Sequence, residues 1–230
     1  MKLQDLRKER LRHGWGQTKA ALRLGVSQPY LDMLEKGKRR LTPALVRKFA
    51  LVYGLSPAVL PVSETFMPVR KMDAQRLAEH LTRLGYPGFA YLRSHVTTKN
   101  PGEVLLTALA QESLEARTAE ALPWLLVRYW KMDFKWLVEQ AKKFDLQNRL
   151  GFVVDLSRRL SEKSSESKRT RVLSELEAVL DRSRLVREDA FFRPPRNKAE
   201  HQWLMRNRPE EARHWNLLTD LRPEHLQYVA

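Results

Sequence analysis

Two glutamines, Gln17 and Gln28, and a set of cations, Lys36, Lys38, Arg39 and Arg40, are the side chains whose types and spacing suit recognition. A carboxamide carries a donor and an acceptor in one plane and pairs with a planar group that offers both. Ammonium and guanidinium groups hold oxyanions. Nothing comparable exists for catalysis. The chain has no cysteine, which excludes disulfides, zinc fingers and cysteine nucleophiles. No HExxH run is present, and His80, His95, His201, His214 and His225 have no nearby carboxylate at a spacing that suggests a metal. The serines near Lys168 sit in a polar tract that would not lower a lysine pKa. No catalytic residue, cofactor or metal is expected, and the chain reads as a non-enzyme.

The glutamines and cations need elements to hold them. Ala20, Ala21 and Leu24 share one helical face in a pattern that begins near Gln17, and Gly25 ends it in the left-handed geometry a glycine tolerates. Val26 plugs the turn. Ser27 reads as an N-cap ahead of Gln28 and Pro29, since proline is accepted in a first helical turn. The second helix buries Leu31 and Leu34, and Gly37 closes it. Gln28, Pro29, Asp32, Met33 and Lys36 point elsewhere. Helices this short are marginal alone, so they must brace each other. Two short helices crossing at a glycine turn, with a polar front edge and a basic loop behind, describe a helix-turn-helix. Such an edge fits a major groove about 12 Å wide, and Lys36, Lys38, Arg39 and Arg40 lie where phosphates would pass.

Residues 3 to 60 resemble the Cro and lambda-repressor (XRE) family, on Leu6, Arg10, Trp15, Gln17, Ala21, Gly25, Val26, Ser27, Gln28, Leu31, Leu34, Glu35, Gly37, Leu45, Ala50, Leu55 and Leu60. The resemblance implies a domain of five short helices that binds double-stranded DNA. It implies that Gln17 grips a phosphate and buttresses the recognition helix, with Gly16 and Ser27 also at the backbone. It implies that Gln28 reads adenine, and that Arg10 and Glu35 form a structural ion pair. Pro29, Asp32 and Met33 occupy the other base-facing places. Here the chain departs from the pattern: Pro29 offers only an apolar contact, for example to a thymine methyl. Asp32 either accepts from a cytosine amino group or sits badly beside phosphate.

The chain has 230 residues, 43% hydrophobic and 30% charged, ordinary for a globular protein with one or two cores. Net charge is +15, and residues 1–60 hold 13 basic against 4 acidic side chains, so most of the excess lies on the segment with the groove-reading shape. The N-terminus lacks an apolar signal core, and the longest apolar run, at 121–127, is far below the ~20 residues of a membrane span. A cytoplasmic protein without membrane contact is expected.

The expected organisation is a helix-turn-helix domain at 1–62, a proline-bearing linker at 63–73 and a helical domain at 74–230, an all-α fold throughout. Helix starts are marked by Asn100–Pro101, Asp133, Asn197 and the prolines at 209 and 223. Residues 88–98 read as a strand or an irregular connection. The polar run at 161–170 reads as a mobile loop, since no apolar side chain holds it down. Trp124, Trp130, Trp136, Trp203 and Trp215 belong to a core or to a protein-binding patch, with core favoured; the mix of aromatic and basic residues at 127–136 also resembles a single-strand stacking surface.

A self-cleaving serine-lysine peptidase, a common companion of phage-type repressors, is strand- and glycine-rich; this chain holds 9 glycines. Two readings follow. One is a sequence-specific regulator, a dimeric repressor, because a single recognition helix reads too few bases. The other is an antitoxin whose C-terminal helices neutralise a toxin protein while the N-terminal domain autoregulates the operon. The stretches at 146–156 and 214–218 carry the fainter likeness to such antitoxins.

Overall fold

The computed structural model of the chain describes residues 3–191 and 193–226; residues 1–2 and 227–230 of the two expected domains lie outside them. The chain divides into two compact units, 1–64 and 65–230.

The first unit contains α1 (Leu3–Arg12), α2 (Gln17–Leu24), α3 (Gln28–Glu35), α4 (Pro43–Val52) and a 3-10 turn at Pro57–Val59. Gly25 ends α2 at φ 55°, ψ 43°, and the Val26 amide returns to Ala21 O at 3.0 Å, so the chain reverses within two residues. Ser27 then caps α3 by accepting from the Tyr30 amide at 3.3 Å. Leu6, Leu24, Leu31, Leu34 and Phe49 meet in one core with exposures of 0–1%, each burial contributing about 1.5–3 kcal/mol. The last turn stays short because Leu60 precedes Pro61 and is extended at ψ 141°, the conformation that a following proline imposes.

The second unit is a helical assembly: α5 (Ala74–Arg83), α6 (Pro101–Leu109), α7 (Ala116–Arg128), α8 (Phe134–Lys143), α9 (Gln147–Lys163), α10 (Ser167–Asp181), α11 (Lys198–Asn207) and α12 (Glu210–His214). Helix α9 is its axis. It packs on α7, α10 and α12 and buries Leu150, Phe152, Val153, Val154 and Leu156 on several sides. At Gly151 a Cβ would overlap the ring of fully buried Trp215, so this helical glycine is where the indole seats. Caps fall where local signals place them: Asn100 accepts from the Gly102 amide, Asp133 from Trp136 and Asn197 from Glu200.

The protein is thus all-α except for one parallel pair of two-residue strands among the described residues, β1 (Asp189–Ala190) on β2 (Leu217–Leu218). Residues 88–98 form no strand. A 3-10 turn at Pro87–Phe89 seats Phe89 against Tyr86, which in turn lies edge-on to Trp124 at 5.3 Å.

Two expectations are corrected. The run 161–170 is not an open loop: α9 extends to Lys163, α10 begins at Ser167, and only 164–166 turn between them. Hydrogen bonds do what apolar contacts would have done, with buried Arg169 donating to Ser161 Oγ and Ser164 Oγ at 3.0 Å each. The supposed linker at 63–73 is, from residue 65 on, also structured as part of the second unit. Phe66 is buried edge-on to Trp136 at 5.3 Å, and Gln111 accepts from the Met72 amide and donates to Val69 O. Its proline, Pro68, denies the segment a helix without preventing an extended strap from packing.

Candidate nucleic-acid interface

The edge of α3 is held from beneath by a chain of side-chain bonds that begins in α1. Arg10 meets Glu35 in a two-point ion pair at 2.6 and 2.9 Å, and its remaining nitrogen donates to Trp15 O at 2.9 Å. Both side chains are nearly sealed, at 8% and 3% exposure. Burial pushes the Glu35 carboxyl up, but the hydrogen bonds from Arg10 and Gln17 outweigh it and hold it below the usual carboxylate range. The hydrogen bond to Glu35 correspondingly raises the Arg10 guanidinium.

Gln17, at the start of α2, carries this order outward. Its amide nitrogen donates to Glu35 Oε2 at 3.1 Å and to Asp32 Oδ1 at 3.2 Å, and its oxygen accepts from Gln28 Nε2 at 2.8 Å. Gln28 lies exposed at the first position of α3. One of its amide hydrogens is engaged by Gln17. Its oxygen and its other hydrogen remain for an outside partner with a matching donor and acceptor.

Pro29 is exposed beside Gln28, and Asp32 and Met33 are half-buried one turn on. Asp32 makes its contacts within the domain. Its carboxylate faces inward and sideways, accepting from Gln17 and pairing with Lys36 Nζ at 2.7 Å. The hydrogen bond from Lys36, then that from Gln17, lowers its pKa. Each carboxylate oxygen thus already accepts one hydrogen bond within the domain, and its charge is paired with that of Lys36. Lys36 is correspondingly engaged, whereas Lys38, Arg39 and Arg40 are exposed and have no ion-pair partner among the described residues.

Two further features favour oxyanions. Gly16 caps α2 without a side-chain bond and no acid lies in its first turn, which leaves backbone amides pointing outward at the positive end of a helix. Ser27 uses its oxygen as the cap of α3, so its hydroxyl hydrogen remains to donate. One cation was not singled out by the sequence. Lys48 of α4 brings its ammonium close to Gly25, where an added Cβ would lie 2.7 Å from it. Only the fold of α4 across the turn places it there.

In the second unit, distant residues meet in pairs invisible to local spacing: His201 with Glu188 at 2.8 Å and His214 with Asp181 at 2.9 Å. Among the described residues no group of three His, Asp or Glu side chains could hold a metal, and no helix is long and apolar enough to cross a membrane.

Comparison with known proteins gives a matching family model described as "Helix-turn-helix", over residues 6–60, about a quarter of the chain. No curated protein and no solved structure matches the chain. The matched segment runs from within α1 through α4 and includes the Gln17–Gln28 contact described above. Residues 6–60 are a helix-turn-helix domain of the XRE type.

Proposed function

We propose that the chain is a sequence-specific double-stranded DNA-binding repressor that works as a dimer. The observation that carries this reading is the posture of Gln28, exposed yet held by Gln17 in an orientation that leaves one donor and one acceptor outward. That pair matches adenine N7 and N6 in the major groove. Pro29 and Met33 add apolar contacts, while Asp32 orients Gln17 and Lys36 rather than reading a base itself. Gly16, Gln17, Ser27, Lys36, Lys38, Arg39 and Arg40 take the flanking phosphates, which position the helix without reading sequence. Dimerisation is inferred from the small number of bases one such edge reaches.

Genome-wide footprinting on the source DNA tests this. The expected result is a two-fold symmetric site with half-sites about one helical turn, ~34 Å, apart, in front of genes whose transcripts rise when the protein is removed. Protection without a shared sequence would end the reading.

A second reading, in which the helical unit binds and neutralises a toxin protein, is favoured by one feature. Between α8 and α10 a groove of about 450 Å³ is lined by Phe134, Val138, Val172 and Leu176 and leaves Val179 43% exposed. Co-purification of a growth-inhibiting protein, abolished by Val179→Glu, would support it; purification as the homo-oligomer alone, with no such gene adjacent, would remove it.

A further inference from the structure

Helix α11 differs from the other helices of the second unit in burying none of its residues. Its apolar side chains instead border a groove of about 360 Å³ between α11, the start of α7 and the chain after β2. That volume falls in the range of small-molecule sites.

Three kinds of surface line it. Leu114, Ala116, Leu204 and Leu218 form an aliphatic wall. Trp203 contributes an indole that is 52% exposed and has no ring or cation stacked on it among the described residues. Asp220 contributes a carboxylate that is exposed and, among the described residues, in no ion pair. The remaining charges cancel. Arg193 and Glu200 bind each other at 2.6 and 3.2 Å, and Glu200 also accepts from the Arg196 amide. In a chain of net charge +15, the lining of this groove therefore includes one carboxylate and one indole that no described residue pairs with or stacks on.

The combination discriminates among ligands. An anion would meet Asp220 at close range. A neutral apolar molecule would cover the carboxylate without pairing it, which is unfavourable. A metal ion would use neither the indole nor the aliphatic wall. A cation with an apolar body satisfies all three, because the indole face attracts positive charge, the carboxylate pairs with it and the leucines take the hydrocarbon. Repulsion from the rest of the protein is screened beyond about 8 Å at physiological salt. We propose that the groove of Trp203 and Asp220 is a binding site for a small organic cation, a substituted ammonium with an apolar body. The site belongs to the helical unit alone and does not depend on the DNA-reading function.

The test uses the full chain without DNA and a matched pair of probes, phenethylammonium and the uncharged phenethyl alcohol, titrated by calorimetry. Phenethylammonium should bind saturably at one site and at least about tenfold more tightly than the alcohol. Asp220→Asn, which keeps the shape, should remove that preference while leaving the affinity for the alcohol unchanged. Trp203→Leu, at a half-exposed position, should weaken the cation about tenfold with an unchanged circular dichroism spectrum. Equal affinity for the two probes, a preference that survives Asp220→Asn, or no saturable binding of the ammonium up to millimolar concentration would each overturn the proposal. So would retention of full affinity by Trp203→Leu. Saturable binding of N-acetyl-arginine amide but not of phenethylammonium would assign the groove to a partner's side chain and equally overturn it.

Discussion

The side-chain nitrogen of Gln28 donates to the side-chain oxygen of Gln17 across 2.8 Å, joining the first positions of two successive helices. Gln17 is itself anchored to Glu35 and Asp32. The exposed amide is therefore oriented before anything binds, and the side-chain entropy of ordering it has been lost on folding rather than on association.

Gln28→Ala should weaken binding to the preferred site by about 1–3 kcal/mol and relax selection at one base position, with little effect on random DNA. Gln17→Ala should reproduce part of that loss and also reduce non-specific binding, since it removes both the tether and a phosphate contact. Quantitative binding to a library randomised at single positions measures both. Equal losses for Gln28→Ala on all sequences would take it out of base reading.

Lys38→Ala should act differently. An exposed cation with no ion-pair partner among the described residues contributes through counterion release, so its loss should weaken specific and random DNA alike. The slope of log K against log salt should fall in magnitude by about 1. Lys36→Ala should cost less affinity than Lys38→Ala, because Lys36 is partly neutralised by Asp32. The two titrations, run side by side, rank the pair.

Breaking the sealed ion pair should unfold the small domain. Glu35→Ala leaves the buried Arg10 guanidinium and the Gln17 amide without their acceptor, a loss of about 3–5 kcal/mol, comparable with the whole stability of a domain this size. In the native protein the Glu35 pKa is lowered on folding. Its stabilisation is complete above the ordinary glutamate value and is lost as pH falls through the lower folded value. Calorimetric melting between pH 5 and pH 2 should show this domain losing stability, and a variant within 0.5 kcal/mol of wild type (about the spread of neutral surface changes) would contradict the assignment.

Buried His80 is expected to make the second unit sensitive to acid. Its ring is 4% exposed and neither nitrogen has a partner among the described residues. Burial, aided by Lys99 and Arg76, pushes its pKa down to about 4 from 6.5. A folded value below the unfolded one means that the stability held above pH 6.5 declines as pH falls from there toward 4, by up to about 1.4 kcal/mol per unit. His80→Leu should flatten melting temperature against pH across that window. An unaltered profile would place the sensitivity elsewhere.

The devices that set local direction were legible in the sequence because each acts within one helical turn. Gly25, Ser27, Asn100, Asp133 and Asn197 satisfy or redirect amides two to five residues away, so their neighbours alone announce them. The paired spacing of Leu31 and Leu34 likewise announced which edge of α3 stays outside. The run 161–170 was misread because its stabilisation comes from Arg169 folding back on two serines, a hydrogen-bonded contact that hydrophobic patterning does not register.

By itself, then, the order of residues decided several helix starts, the glycine turn, the basic bias of residues 1–60 and the family of residues 6–60. Tertiary structure alone decided that Asp32 turns toward Gln17 and Lys36, that the strap after the first unit is buried through Phe66, and that half-exposed Trp203 and Asp220 line one groove. The physical reason is range. Caps and turns are settled between near neighbours in the chain, whereas the partner of a charge or an aromatic ring is whatever the completed packing brings within a few ångströms, from any distance along it.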